Sequence, residues 1–372
     1  MRLDRNHQAF FALVQAGLWE KNVRLLPFGN IDFMAIYRLA EEQSVIGLVA
    51  AGLEHVIDVK VPKEEALMFV GNALQLEQRN IAMNEFVAEL FEKLNKVQLN
   101  ALLIKGQGIA QYYERPLWRA AGDVDLLIDE SKYENGKICL AQYGTIADEE
   151  DITRKHIGYS INIWLVELHG SFKTDCWERL DRQIDSIQED TFKLENIRLW
   201  DNNGTEIPMP SIDNDVIFVF THILQHFFKG GIGLRQVCDL SRFLYLNGGN
   251  IDTPTLMFRL CNMGLMSEWK AFGAVAVDYL GMPAVNWPFY SSKKKWKRKA
   301  ARIVRIIIET GNFGHNRDMT YINKYPFVIR KMTSLLRSTK DRIRQSFIFP
   351  ADSARVWTHM FNTRMKAAFK GR

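Results

Sequence analysis

The run Ala101-Leu-Leu-Ile-Lys-Gly-Gln-Gly108, resumed after a short interval by Gly122-Asp-Val-Asp-Leu-Leu-Ile128, constrains this chain more than any other stretch. An apolar, strand-forming run that breaks at glycine and resumes on Asp-Val-Asp predicts two strands joined by a tight, helix-containing connection. In a strand, residues i and i+2 face the same side. Asp123 and Asp125 therefore project in parallel, roughly 6–7 Å apart along the backbone. Paired carboxylates of this kind suit divalent metal, since two Mg²⁺ ions sharing such ligands sit about 3.5–4 Å apart in phosphoryl-transfer sites. The glycines of the upstream turn let backbone N–H groups approach an anion closely.

The rest of the composition is that of an ordinary globular protein. Of 372 residues, 47% are hydrophobic and 24% charged, which excludes a disordered or fibrous chain. Cys139, Cys176, Cys238 and Cys261 are widely spaced with no Cys-x-x-Cys pair, which favours reduced thiols in a cytoplasm. The apolar stretch at Ala9–Val14 is too short and too helical in its pattern for a signal peptide or membrane span, and no later run is long enough to cross a bilayer. The net charge is only +5, yet six basic residues crowd into Lys293–Lys299 ahead of an amphipathic helix. A nucleic acid or an anionic membrane is a candidate partner for that run. Aromatics are not interleaved as in a stacking platform, and no nucleic-acid-binding motif is present, so a solvated helix start is favoured.

Three zones separate by pattern. Residues 1–97 show apolar positions at helical spacing and predict an N-terminal region of about five helices, punctuated by Val61-Pro62 and Gly71. Residues 98–210 carry short strand-like runs at Ala101–Ile104, Val124–Ile128, Tyr159–Leu168 and Ile197–Trp200. Helical intervals fall at Gly108–Tyr113 and Lys132–Tyr143. Residues 211–372 open on Ser211-Ile-Asp-Asn-Asp215, a capping-type start, and read as helix after helix to Arg372.

With Ile104-Lys-Gly-Gln-Gly-Ile-Ala110, Tyr113, Pro116, Arg119, Gly122-Asp-Val-Asp-Leu126, Val166-Glu-Leu-His169, His222-x-x-x-His226 and Gly233-Leu-Arg-Gln-Val-Cys-Asp239, the chain resembles the uncharacterised bacterial nucleotidyltransferase family five. That family lies within the DNA polymerase β-like superfamily. The resemblance implies an α+β fold: a small mixed sheet with helices on one face, flanked by N- and C-terminal helical regions. It further implies transfer of a nucleoside monophosphate from NTP to an acceptor, a small metabolite, sugar or protein, with Mg²⁺ or Mn²⁺ held by Asp123, Asp125 and Glu167. Superfamily members usually carry Gly-Ser at the phosphate turn, whereas this chain has Gly106-Gln107. Lys105, Gly106, Gln107 and Gly108 are then the candidates for the phosphates, with Arg119 and Arg235 as further phosphate clamps.

Each candidate has a structural alternative. Lys105 can snorkel at a strand end, and Arg119 can pair with a nearby carboxylate. Arg235 and Asp239, four residues apart, can form a helix-surface ion pair worth about 0.3–0.5 kcal/mol. His222 and His226 share a helical face without a third ligand at metal spacing, so they are read as core or cleft-lining residues. Lys229 is a weaker phosphate candidate, and His169 shares a strand face with Glu167. If Glu167 is not the third carboxylate, Glu149, Glu150 or Asp151 takes its place. Neutralising either aspartate is expected to spare the fold by relieving repulsion. Two other classes remain open: a silent nucleotide-binding protein, and a phosphotransferase moving the γ-phosphoryl group.

Overall fold

A computed structural model describes residues 3–314, 333 and 339–369. The chain begins with four α-helices, α1 (Arg5–Trp19), α2 (Phe33–Glu42), α3 (Ile46–Glu54) and α4 (Lys63–Lys96), together with one 3₁₀ turn at Leu26–Phe28. Pro62 starts α4 as expected, but Gly71 does not divide it. A lone glycine costs about 1 kcal/mol in a helix. The burial of Phe69, Ala73, Met83, Phe86 and Leu90 along α4 outweighs that.

Next come β1 (Ala101–Ile104), α5 (Gly106–Ala110), β2 (Asp123–Ile128), α6 (Tyr133–Leu140), β3 (Thr145–Ile146), β4 (His156–Ile161) and β5 (Trp164–His169). The run expected as one strand over Tyr159–Leu168 is two. Asn162, at φ 54°, turns the chain at Asn162-Ile163 so that β4 and β5 pair as a hairpin. Asparagine tolerates the left-handed region better than most residues, which is why the reversal falls there. After α7 (Glu178–Thr191), a separate hairpin forms from β6 (Ile197–Asn202) and β7 (Thr205–Pro210).

The five-stranded sheet has the order β1-β2-β5-β4-β3. It is mixed, because β2 and β5 run parallel while the other neighbours are antiparallel. Alternation sorts its side chains between two cores. Val124, Leu126, Ile128, Val166 and Leu168 pack with Phe86, Leu90, Phe91 and Leu94 of α4. Each such side chain contributes roughly 1.5–3 kcal/mol when fully buried. The opposite face carries Leu102, Ile104 and Leu127 into the larger core. There the sheet meets α8 (Ile212–Lys229) and α9 (Leu234–Asn247).

Helices α10 (Thr253–Met263), α11 (Met266–Asp278) and α12 (Lys294–Thr310) follow, and a last helix spans Pro350–Phe369. The expected run of helices to Arg372 falls partly outside the described residues, at 315–332, 334–338 and 370–372. In α12, Trp296, Ala300, Ile303, Val304 and Ile307 are buried while Lys294, Lys295, Lys297, Arg298, Arg302 and Arg305 are exposed. Lys299 departs from that stripe, bonding Ser267 Oγ at 2.9 Å. Among the described residues no helix is long and apolar enough to cross a membrane.

One buried amide orients the segment that enters β2, and another ties the start of α9 to α12. Asn80 of α4 donates to the carbonyls of Leu117 and Arg119 at 2.7 and 2.8 Å. Gln43, fully buried, accepts from the Leu234 N–H at the start of α9 and donates to the Ile307 carbonyl of α12. On α3, Gly47 lies directly against the same segment, and a Cβ there would stand 2.0 Å from the Trp118 carbonyl oxygen. Gly47→Ala should therefore push the backbone next to Arg119 and lower stability by about 1–3 kcal/mol. The check is a drop in urea midpoint at unchanged m-value.

Candidate functional site

Register, more than sequence proximity, assembles the site. In the parallel β2–β5 pair Asp125 lies beside Glu167, and Asp123 is two residues earlier on the same face. Ligand oxygens of Asp123, Asp125 and Glu167 all fall within 4.8 Å of one another. They stand in an open cleft that counts Lys105, Gly106, Arg119, Gly122, Val219, His222, His226, Arg235 and Asp239 among its walls. The sheet supplies the acids, and α8 and α9 form the opposite wall.

Asp125 is only 3% exposed, and its charge is met by two cations. Lys105 Nζ lies 2.7 Å and His169 Nε2 2.9 Å from its Oδ1. Lys105 reaches that position from a turn with φ 57°, unusual for a residue with a side chain and worth about 1–3 kcal/mol of strain. Burial lowers the affinity of Lys105 for its proton, but the carboxylates of Asp125, Glu167 and Asp123 overcome this and hold the ammonium charged. His169 behaves likewise. Burial opposes its protonation, and hydrogen bonds to Asp125 and Glu167 reverse the balance upward. For Glu167, burial would raise the carboxyl, yet His156 and His169 bonding to it, together with Lys105, drive it far below the usual range. Asp123 is the exception, pushed up mainly by repulsion from Asp125 and then by burial. One acid of the three therefore lacks sufficient countercharge, a deficit that a divalent cation among these oxygens would remove.

The other candidates divide. Arg119 lines the cleft but is already engaged, its Nε and Nη2 forking onto Asp239 at 2.9 and 2.8 Å while Tyr113 donates to the same carboxylate at 2.6 Å. Arg235 and Asp239 thus do not form the surface pair considered above, since both line the cleft and Asp239 is taken by Arg119. Arg235 donates through Nη1 to the Ala120 carbonyl, while its Nε is buried without a partner. Gly106 lines the cleft, and the Gln107 side chain and the Cα of Gly108 face elsewhere. The Gln107 amide donates to Asn84 at 2.7 Å, and a Cβ on Gly108 would strike Met209 Sδ. Lys229 is bound to Asp175 and the Thr174 carbonyl, away from the cleft.

His222 and His226 both face the cleft from α8, their ring centroids 4.3 Å apart. Burial holds both neutral, His222 well below its usual value and His226 down to about 4, with Lys105 adding to the effect. Among the described residues neither belongs to a cluster of three metal-capable groups. The acids offered as substitutes for Glu167 lie elsewhere. Glu150 pairs with Lys137 and Asp151 with Arg154. His156, 3.1 Å from Glu167, escapes sequence reasoning because the hairpin that places it there was read as one strand. Its signal was the register of β4 against β5, which no spacing along the chain encodes.

The buried pairing of Asp125 corrects the expectation that either aspartate can be neutralised without cost. Asp125→Asn should destabilise the metal-free protein by about 3–5 kcal/mol, since it leaves Lys105 and His169 without their buried partner. Asp123→Asn should leave stability unchanged or raise it, because above its elevated pKa the ionised group is repelled by Asp125. Urea denaturation of both variants in EDTA checks the contrast.

Comparison with protein families gives a match over residues 29–281, well over half of the chain, to a family described as uncharacterised nucleotidyltransferase. Neither curated proteins nor solved structures give a match.

Proposed function

This chain belongs to the uncharacterised nucleotidyltransferase family, and on that premise we propose that it moves a nucleoside monophosphate from an NTP to an acceptor hydroxyl, releasing pyrophosphate. The acceptor class we favour is a small metabolite, a sugar or a protein side chain. One observation carries the reading: the β2–β5 register gathers Asp123, Asp125 and Glu167 within 4.8 Å at the cleft. The undercompensated charge of Asp123 makes this oxygen set a fit for Mg²⁺ or Mn²⁺. Asp123, Asp125 and Glu167 would hold two such ions, which when bound neutralise the triphosphate and make an acceptor hydroxyl more acidic.

The chain's own groups have distinct tasks in this scheme. Arg235, with an N–H to spare, meets phosphate charge from the α9 side. Lys105 balances Asp125 and is close enough to the carboxylates to turn to phosphate once a cation takes that role. Arg119 acts as a positioning residue, its fork onto Asp239 fixing the entry to β2 against α9. Glu167 stays ionised and so is suited to hold a cation.

Purified protein with Mg²⁺, NTP labelled at the α- or the γ-phosphorus, and a cell extract as acceptor source tests the proposal. Label from the α-position should enter a product while unlabelled acceptor and NTP alone give none. Transfer of γ-label instead would make the protein a phosphotransferase, and the absence of Mg²⁺-dependent NTP binding would remove both readings. Asp123→Asn should cut transfer by about 10²–10³-fold, the scale of losing one electrostatic stabiliser.

A further inference from the structure

Beside the cleft, on the β4 side of Glu167, lies a second, solvent-open chamber whose lining includes His156, Glu167 and His169. Antiparallel pairing sets His156 opposite His169, and Glu167 is two residues from His169 on the same face. Backbone register alone makes three ligand-bearing side chains converge. His156 Nε2 is 3.1 Å and His169 Nε2 3.5 Å from one oxygen, Glu167 Oε2. The three ligand atoms lie within 4.8 Å of one another. A tetrahedral cation with bonds of about 2.0–2.1 Å sets ligand–ligand edges of about 3.3–3.4 Å. The two measured edges straddle that length. The side chains are 13–21% exposed, so an ion can enter from the chamber without unfolding anything.

We propose that His156, His169 and Glu167 form a second cation site, which takes a borderline first-row ion such as Zn²⁺ or Co²⁺ in preference to Mg²⁺. Two imidazoles and one carboxylate suit such ions, whereas Mg²⁺ keeps to oxygen ligands. Glu167 belongs to both this nitrogen-rich set and the all-oxygen set with Asp123 and Asp125, so it bridges two sites of different chemistry. An ion bound here draws His169 Nε2 off Asp125 and leaves Lys105 as that acid's partner. Lys105 and Arg154, which also line the chamber, oppose a cation only weakly, because each is already paired, with Asp125 and Asp151 respectively. The inference rests on the β4–β5 register and is independent of nucleotidyl transfer.

Full-length protein stripped with EDTA is titrated with Co²⁺, read by visible absorption, and with Zn²⁺, read by calorimetry. His156→Ala, His156→Gln and Asp123→Asn are titrated alongside. The expected result is one tight equivalent in the unmodified protein and in Asp123→Asn. Both His156 variants should bind at least about 10–100-fold more weakly, the scale already seen when only an outer-shell partner is lost. Zn²⁺ should also raise the melting temperature of the unmodified protein and of Asp123→Asn, but not of the His156 variants. Binding unchanged by both His156 substitutions overturns the site, as does the absence of any tight equivalent. Loss in Asp123→Asn with retention in the His156 variants also overturns it, by assigning the ion to the carboxylates. Mg²⁺-dependent NTP binding, measured separately, shows whether the nucleotidyl-transfer reading stands or falls on its own.

Discussion

A carboxylate that is almost fully buried must be neutralised, and Asp125 is neutralised from two directions at once. Lys105, at the end of β1, and His169, at the end of β5, both reach its Oδ1. Three adjacent strands are thereby tied together through charge as well as through their ladders. The strained turn at Lys105 is offset by the ion pair its ammonium makes with Asp125. The rest of the cleft is arranged around this cluster: Glu167 beside it, Asp123 repelled by it, and two neutral histidines facing it from α8.

The same cluster explains why the site is electrostatically unfinished. Glu167 gathers hydrogen bonds from two imidazoles, and Asp125 has Lys105 and His169 against it, while at Asp123 repulsion and burial outweigh the pull of Lys105 and Arg235. A protein stable only as an ion-paired network would distribute its countercharge more evenly. An uncompensated acid next to two compensated ones, opening on a cleft that Arg235 also lines, is the arrangement from which cation and phosphate binding are proposed. Arg119 and Asp239 contribute a fixed frame instead. Removing either would bury a lone charge, so that pair ties the segment before β2 to α9.

Some of this was legible in residues alone. Alternation in Asp-Val-Asp put two carboxylates on one face, and Val-Glu-Leu-His put Glu167 and His169 on one face of another strand. The glycine turn was legible as a break but not in its orientation, since Gly106 opens on the cleft while Gln107 turns to Asn84 of α4. The hairpin at Asn162 was missed because Ile161 through Trp164 looks like continuous strand to any rule based on apolar content. With it went His156, whose neighbour Glu167 is eleven residues away in sequence and adjacent in space.

Local periodicity and residue type determined a mixed helix-and-strand core between helical regions, the strand carrying two acids, and the apolar stripes of α4 and α12. These depend on contacts a few residues apart and on a burial pattern written into each element. Tertiary structure alone decided which carboxylate is buried and paired, which arginine keeps a free N–H, and which histidines meet Glu167. Those outcomes follow from strand register and helix placement, which are fixed by long-range packing and by the cost of burying unpartnered charge, and neither quantity is local to any segment of the chain.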